Sequence, residues 1–303
     1  MPNSIQYASV FQTVLDNQAV AASVTGWMDA NAGLVIYNGG KDIKIPKMSL
    51  DGLGDYNRTN GYDRGSVTVV YETKTMTQDR GKQFLLDAMD VNETNFAVTA
   101  AAVMGKFQRE KVIPEVDAYR LSALATMAIT ADKAVTYSYT PEKATILDAL
   151  KDAIAKVKEA GFIGQPMVIQ ISTAAMTAFE KALGSNNIKE EKFTAGGFDT
   201  RCAFLDGIPM IETPADRLYS AITLNTTAQG GGYKKAAGAK DINFTVMPAL
   251  APIGVNKQDK PKIFDPSVVQ DHDAWKIDYR RYHDLWVMDS NIEAIAVNIK
   301  DAK

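Results

Sequence analysis

The two histidines of the chain each stand beside carboxylates, His272 between Asp271 and Asp273 and His283 next to Asp284, which is the residue chemistry of a general base or a metal-ligand set. In an extended segment Asp271 and Asp273 share one side while His272 points to the other. A metal there needs ligands converging from elsewhere, and a charged edge or turn is the expectation. His283 lies in a tyrosine-rich strand with no partner nucleophile in view, and reads as a packed histidine with a hydrogen bond. Cys202, the single cysteine, sits beside Ala203, Phe204 and Leu205 and reads as a small buried hydrophobe. The sequence has no G-x-S-x-G, H-E-x-x-H or C-x-x-C. Gly40-Lys41 runs into Asp42 without the earlier glycine of a phosphate loop, and GGGYKKAAGAK contains no Gly-Lys-Ser/Thr. The expectation is a chain without catalytic residues, cofactor or metal.

Composition sets the frame for these residues. With 303 residues, 46% of them hydrophobic, the chain can fill one large domain or two ordinary ones. A net charge of −3, with both signs mixed along the sequence, argues against tight sequence-blind binding to nucleic acid. One cysteine excludes an internal disulfide framework and suits a reducing compartment. MPNSIQYASVFQ lacks a charged region followed by an apolar core, and no apolar run approaches the roughly 20 residues that span a bilayer. A soluble intracellular product is expected, so the glycosylation sequons at Asn57, Asn92, Asn225 and Asn243 are chance matches.

Up to about residue 40 the pattern is irregular, with a short amphipathic run on Ile5, Ala8, Phe11 and Leu15, and reads as an extended arm. IKIPKMSL (Ile43 to Leu50) and SVTVVYETKTMT (Ser66 to Thr77) alternate as strands, with Pro46 marking an unpaired edge. Asn92 or Thr94 caps a helix carrying Phe96, Ala100, Val103, Met104 and Phe107 that Pro114 interrupts. A second stripe on Val116, Tyr119, Ala123, Leu124 and Met127 extends it into one kinked rod. Thr140-Pro141 starts a helix striped with Ile146, Leu147, Leu150, Ile154 and Val157, and Gly161 ends it. MVIQI is a buried strand, a helix with Ala175, Phe179, Ala182 and Leu183 stops at Gly184, and RCAFLDGIPMIET reads as strand, Asp-Gly turn, strand. AITLN leads into TTAQGGGYKKAAGAK, which reads as a flexible loop. After Asp241 the pattern is nearly all β, and pairing those strands with the rod implies a discontinuous domain.

Between the first two strands lies DGLGDYNRTNGYDRG, with Leu53 its only aliphatic residue. Ordering backbone costs about 1–2 kcal/mol per residue, and burying Leu53 returns only about 2 kcal/mol. The tip is therefore mobile in the monomer or held by another chain, and its residue types favour the second: tyrosine and arginine are enriched at interfaces, and the aspartates can answer a neighbour's arginines. The contact candidates are Leu53, Asp55, Tyr56, Arg58, Tyr62, Asp63 and Arg64, with Arg80 just beyond the second strand.

KIPKMSLDGLGDYNRTNGYDRGSVTVVYETKTMTQDRGKQFLLDAMDVNETN, followed by the helical stretch with VIPEVDAYR, resembles the major capsid proteins of tailed bacteriophages with the Hong Kong 97 (HK97-like) fold. YRRYHDLWVMDSNIEAIAVNI is similar to their closing strands, and FLDGIPMIETP to a recurrent piece of their axial domain. The resemblance implies an α+β chain with an N-terminal arm (1–40), an extended β-hairpin or E-loop (41–80), a peripheral domain with a spine helix and β-sheet (81–140 and 241–303) and an α+β axial domain (141–240) that would carry the Gln229 to Ala239 loop. It implies a homo-oligomer that self-assembles through pentamers and hexamers into an icosahedral shell, enclosing phage double-stranded DNA without sequence-specific binding. The location implied is the virion, after synthesis in the bacterial host cytoplasm, with no membrane. Only about forty residues precede the hairpin, too few for a helical delta domain, so a separate scaffolding protein is expected beside portal and decoration proteins. Lys47, Lys74 and Asn57 stand near the hairpin without a motif for covalent cross-linking, and none is expected. The rival readings are an encapsulin-type nanocompartment shell and an α+β enzyme centred on residues 141–224 with Asp271, His272 and His283 near its cleft.

Overall fold

The computed structural model describes residues 23–34, 36–37, 41–53, 56, 58, 65–87, 103–183, 190–195, 198–264, 266–269, 271 and 273–303. The amphipathic run from Ile5 to Leu15, the caps Asn92 and Thr94, the stripe residues Phe96 and Ala100, and Gly184 fall outside them. In chain order the strands are β1 (Ile36–Tyr37), β2 (Asp42–Leu50), β3 (Val67–Thr75), β4 (Gln78–Asp87), β5 (Val135–Thr136), β6 (Met167–Ser172), β7 (Glu190–Ala195), β8 (Phe198–Leu205), β9 (Ile208–Thr213), β10 (Ile222–Leu224), β11 (Tyr233–Lys235), β12 (Ile242–Pro248), β13 (Pro252–Phe264), β14 (Ala274–Val287) and β15 (Ala296–Ile299). The helices are α1 (Ile113–Ala131), α2 (Ile146–Glu159), α3 (Thr173–Leu183) and the single turn α4 (Asp289–Ile292).

Every residue of β6, β12 and β15 is buried, because these strands form the middle of a seven-stranded sheet ordered β5-β15-β12-β6-β9-β8-β7 with helices on both faces. Alternation sends Ile169, Ile171, Phe244 and Val246 to one face, where they meet Ile146, Leu150, Ile154 and Val157 of α2 and Phe179 of α3. Val168, Ile211, Met247 and Val297 go to the other, against Leu121, Leu124, Ala125 and Ala128 of α1 and against Trp27 and Met28 of a short 3-10 helix, Gly26–Leu34. The Asp-Gly turn stands as expected: Asp206 (φ 52°) and Gly207 (φ 78°) both take the left-handed conformation that a two-residue hairpin requires.

Three expectations need correction. Pro114 does not interrupt the rod, which is helical without a break from 103 to 131. Proline has no N–H and its ring crowds the preceding turn; the helix widens to a π turn at Gln108–Val112, closed by Ile113 N–H on the Gln108 carbonyl, and so takes in Pro114 at the start of α1. The helix α2 begins at Ile146 after a tight turn in which Glu142 accepts from the Thr145 and Ile146 amides, not at Thr140-Pro141. The glycine and lysine segment after AITLN is not a flexible loop: β10 and β11 pair, and Thr226 and Gln229 form a reciprocal capping box around the turn between them. β12 pairs with β6, so hydrogen bonds cross between the segments 241–303 and 141–240, whereas β15 pairs with β5 within the segments 81–140 and 241–303. Only β13 and β14 join β4, in a separate three-stranded sheet that packs on the start of the rod through Met104, Phe107, Ile277 and Tyr279. Among the described residues no helix is long and apolar enough to cross a membrane.

Candidate assembly surface

The hairpin β2–β3 pairs in one unbroken register from Asp42 opposite Thr75 to Leu50 opposite Val67. Its two ends are clipped by side chains, Asp42 accepting from Thr75 Oγ1 at 2.6 Å and Asp51 from the Ser66 amide and hydroxyl at 2.6 and 2.8 Å. Those Ser66 bonds, the amide first, hold the Asp51 carboxyl below its usual range.

Alternation divides the ribbon lengthwise. Near its base Ile43 and Ile45 are buried against Ile253, Val255 and Tyr282 of the β13–β14 pair, so this face looks toward the chain's own body. The opposite face is polar there, with Lys44, Thr73 and Thr75. Farther out the face turned away from the body becomes apolar, with Val67, Val69 and Tyr71 and with Leu50 opposite Val67, while Val70, opposite Lys47, is the exposed apolar residue on the face toward the body. The exposures of Val67, Val69, Tyr71 and Leu50 are 66%, 49%, 52% and 65%, so no described part of the chain covers them. Aliphatic and aromatic side chains in a strand with no core beneath them form an uncovered apolar surface.

The base is fixed from three sides. Met76 is buried, its amide bonds to the Lys41 carbonyl at 3.0 Å, and its carbonyl accepts from Tyr282 Oη at 3.1 Å. Thr77 gives its amide and its hydroxyl to Asp284 at 2.7 and 3.0 Å, and Tyr119 of α1 donates to the same carboxylate at 2.7 Å. Burial raises the Tyr119 phenol to about 12, so it remains a donor at any ordinary pH. Farther out, one exposed ion pair, Lys47 to Asp289 at 2.6 Å, links the ribbon to the body; it lowers the Asp289 carboxyl and raises the Lys47 ammonium.

Of the contact candidates, Leu53, Tyr56 and Arg58 are exposed on the connection between the strands. Asp55, Tyr62, Asp63 and Arg64 lie outside the described residues. Arg80 stands apart from them. From β4 its guanidinium pairs with Glu115 of α1 and donates to the carbonyls of Asn225 and Gly232, at 3.2–3.3 Å, where the β10–β11 turn begins and ends. Sequence reasoning missed Leu50, Val67, Val69 and Tyr71, although the alternation that identified the strands already required one face to find cover. It also missed Thr77 and Asp284, because the clamp joins residues 207 apart.

His283 is buried edge-on to Tyr119, at 5.5 Å between ring centroids, and Nδ1 has no partner among the described residues. Burial first, then Arg281, Arg120 and Arg80, hold it well below its usual value, so it is neutral. Asp271 and Asp273 are exposed, while His272 lies outside the described residues. Cys202 is placed opposite Glu191 in the β7–β8 ladder. Among the described residues no three His, Cys, Asp or Glu side chains gather as a metal site.

No family profile and no curated protein matches the sequence. Solved structures do match in fold. The capsid of the cyanophage P-SCSP1u superposes with a TM-score of 0.57 at 11% identity, covering 87% of this chain and 84% of that one. The mature capsid of bacteriophage PhiM1 gives 0.54 at 13%, over 87% and 83%. A virus-like particle from Pyrococcus furiosus gives 0.53 at 13%, over 96% and 99%. The chain has the fold of these capsid subunits, the one its sequence resembled.

Proposed function

We propose that this chain is the major capsid protein of a tailed bacteriophage, a structural subunit that closes into pentamers and hexamers and tiles an icosahedral shell around double-stranded DNA. The observation that carries the reading is the uncovered apolar face of the β2–β3 ribbon, turned away from the chain's own core on a fold shared with capsid subunits. Head-to-tail contacts of this sort close into rings, and rings of five and six pave a shell. A scaffolding protein, a portal and decoration proteins complete the proposed set of partners. Deleting Gly54 to Arg64 should leave a soluble, folded subunit that forms no shells by negative-stain microscopy and sedimentation; shells of normal size from that deletion overturn the proposal.

A second reading, an encapsulin-type compartment, is favoured by the likeness to the Pyrococcus furiosus particle over nearly the full length of both chains. Purified shells decide between them: a peptide of a cargo enzyme bound to the inner wall selects the compartment, and association with portal and tail proteins selects the phage head.

A further inference from the structure

The β13–β14–β4 sheet has two unlike faces. Alternation sends Tyr279, Arg281 and His283 of β14 toward the rod, and Arg280 and Tyr282 to the outer side. On that side Tyr282 packs against Ile43 and Ile45 of the hairpin base. Beside it a cavity of about 530 Å³ opens, lined by Lys41, Lys257, Lys260 and Arg280, with Asp79 as its single carboxylate. The lining carries a surplus of three positive charges in a chain whose net charge is −3.

The backbone brings these cations together. The register puts Lys260 directly opposite Arg280, a placement that weakens a sheet when the charges are alike. Gly81, on the other side of Arg280, adds no side chain to separate them. The bulge between Asn256 and Gln258 takes Lys257 out of the alternation, and its ammonium stands 5.8 Å from the centre of the Tyr282 ring. Lys41 is fixed by its carbonyl, which accepts from the Met76 amide at 3.0 Å. Asp79 answers only Arg280, in a two-bond fork at 2.7 and 2.5 Å that holds the Asp79 carboxyl below its usual range. The fork fixes the guanidinium plane and leaves its Nη1 donors without a partner among the described residues. Lys260 is exposed and has no ion pair among the described residues.

We propose that this cavity is a binding site for a phosphate-bearing anion, held by Lys260 and Arg280 across the strand pair and by Lys41 and Lys257 from the hairpin base and the bulge. A phosphate supplies concentrated negative charge and oxygens that accept from ammonium and from a preset guanidinium. It thereby relieves the Lys260–Arg280 repulsion that the chain's own residues leave unanswered. The phosphate has two sources with the same recognition chemistry, the backbone of duplex DNA and a free polyphosphate. The site lies on the free subunit, so its test stands apart from that of the shell.

The full chain, as free subunit in about 50 mM NaCl, is titrated with inorganic tripolyphosphate by calorimetry and with a fluorescent DNA duplex of mixed sequence by anisotropy. Tripolyphosphate should bind at a single site, and Lys260→Glu should weaken it about tenfold or more. Lys158→Glu, the same charge change at an exposed position of α2, should leave the affinity unchanged. Lys260→Glu sets an opposite charge across from Arg280, so the melting temperature should hold; Arg280→Gln is the second variant and should lose as much affinity. Duplex binding that tripolyphosphate displaces assigns the site to a nucleic-acid backbone, and tripolyphosphate binding without duplex binding assigns it to a free polyphosphate. Binding of neither, or equal losses in Lys260→Glu and Lys158→Glu, overturns the proposal. A hexaglutamate peptide that binds as tightly as tripolyphosphate makes the cavity a dock for an acidic chain and overturns it as well.

Discussion

His283, which has the look of a catalytic base in the sequence, is buried in the folded chain. Its imidazole is enclosed between β14 and α1, near three arginines, and stays uncharged. In the unfolded chain the same group titrates near 6.5. A folded value depressed below the unfolded one means that stability is present above about pH 6.5 and is lost as the pH falls, because only the unfolded state takes up the proton; the loss is about 1.4 kcal/mol per pH unit until the folded value is reached. Urea midpoints measured at about pH 7.5 and about pH 5.5 should therefore fall more steeply for the native chain than for His283→Gln, which has no proton to gain. Equal slopes remove His283 as the cause. Of these arginines only Arg281 stands in YRRYHDLW; the burial could not be read from it, and Arg120 and Arg80 arrive from elements far away in the chain.

Arg80 makes the corresponding point for elements. It joins β4, the rod and the β10–β11 turn, three pieces that a sequence pattern treats as separate, and it fixes a segment whose glycines and lysines look like a linker. That segment is ordered by local geometry: Gly230, Gly231 and Gly232 have φ of 83°, 74° and 77°, which glycine adopts without strain, and the capping box leads into them. Arg80→Ala should cost about 1–2 kcal/mol in denaturant unfolding, allowing for partial exposure of the pair, and should speed exchange at the amides of Asn225 and Gly231. Arg80→Lys should restore little, because an ammonium cannot span the carboxylate and two carbonyls at once. What was legible in the sequence at this scale was periodic and local: the β2–β3 hairpin, the stripe of α2, the buried β6 and the Asp206-Gly207 turn. What was not legible depended on distant partners, as with the entry of β12 and β15 into the central sheet, or on a local adjustment that propensity does not encode, as with the π turn ahead of Pro114.

For the molecule as a whole the prediction concerns association alone. Val67 and Val69 contribute little to the folded subunit, being exposed, yet burying such side chains against a neighbour is worth about 1.5–3 kcal/mol each. Val67→Ser with Val69→Ser should leave the melting temperature of the free subunit unchanged and raise the concentration needed for assembly by roughly a hundredfold or more, read by light scattering. An unchanged threshold removes this face from the interface. The clamp beneath it has a consequence for biosynthesis. Thr77 waits for Asp284, 207 residues later, and at ~5–20 residues per second a ribosome needs about 10–40 s to supply it. During that interval the ribbon has been made but has no foundation, so on the proposed function sister chains growing on one messenger engage it in the proper orientation only after translation has passed β14.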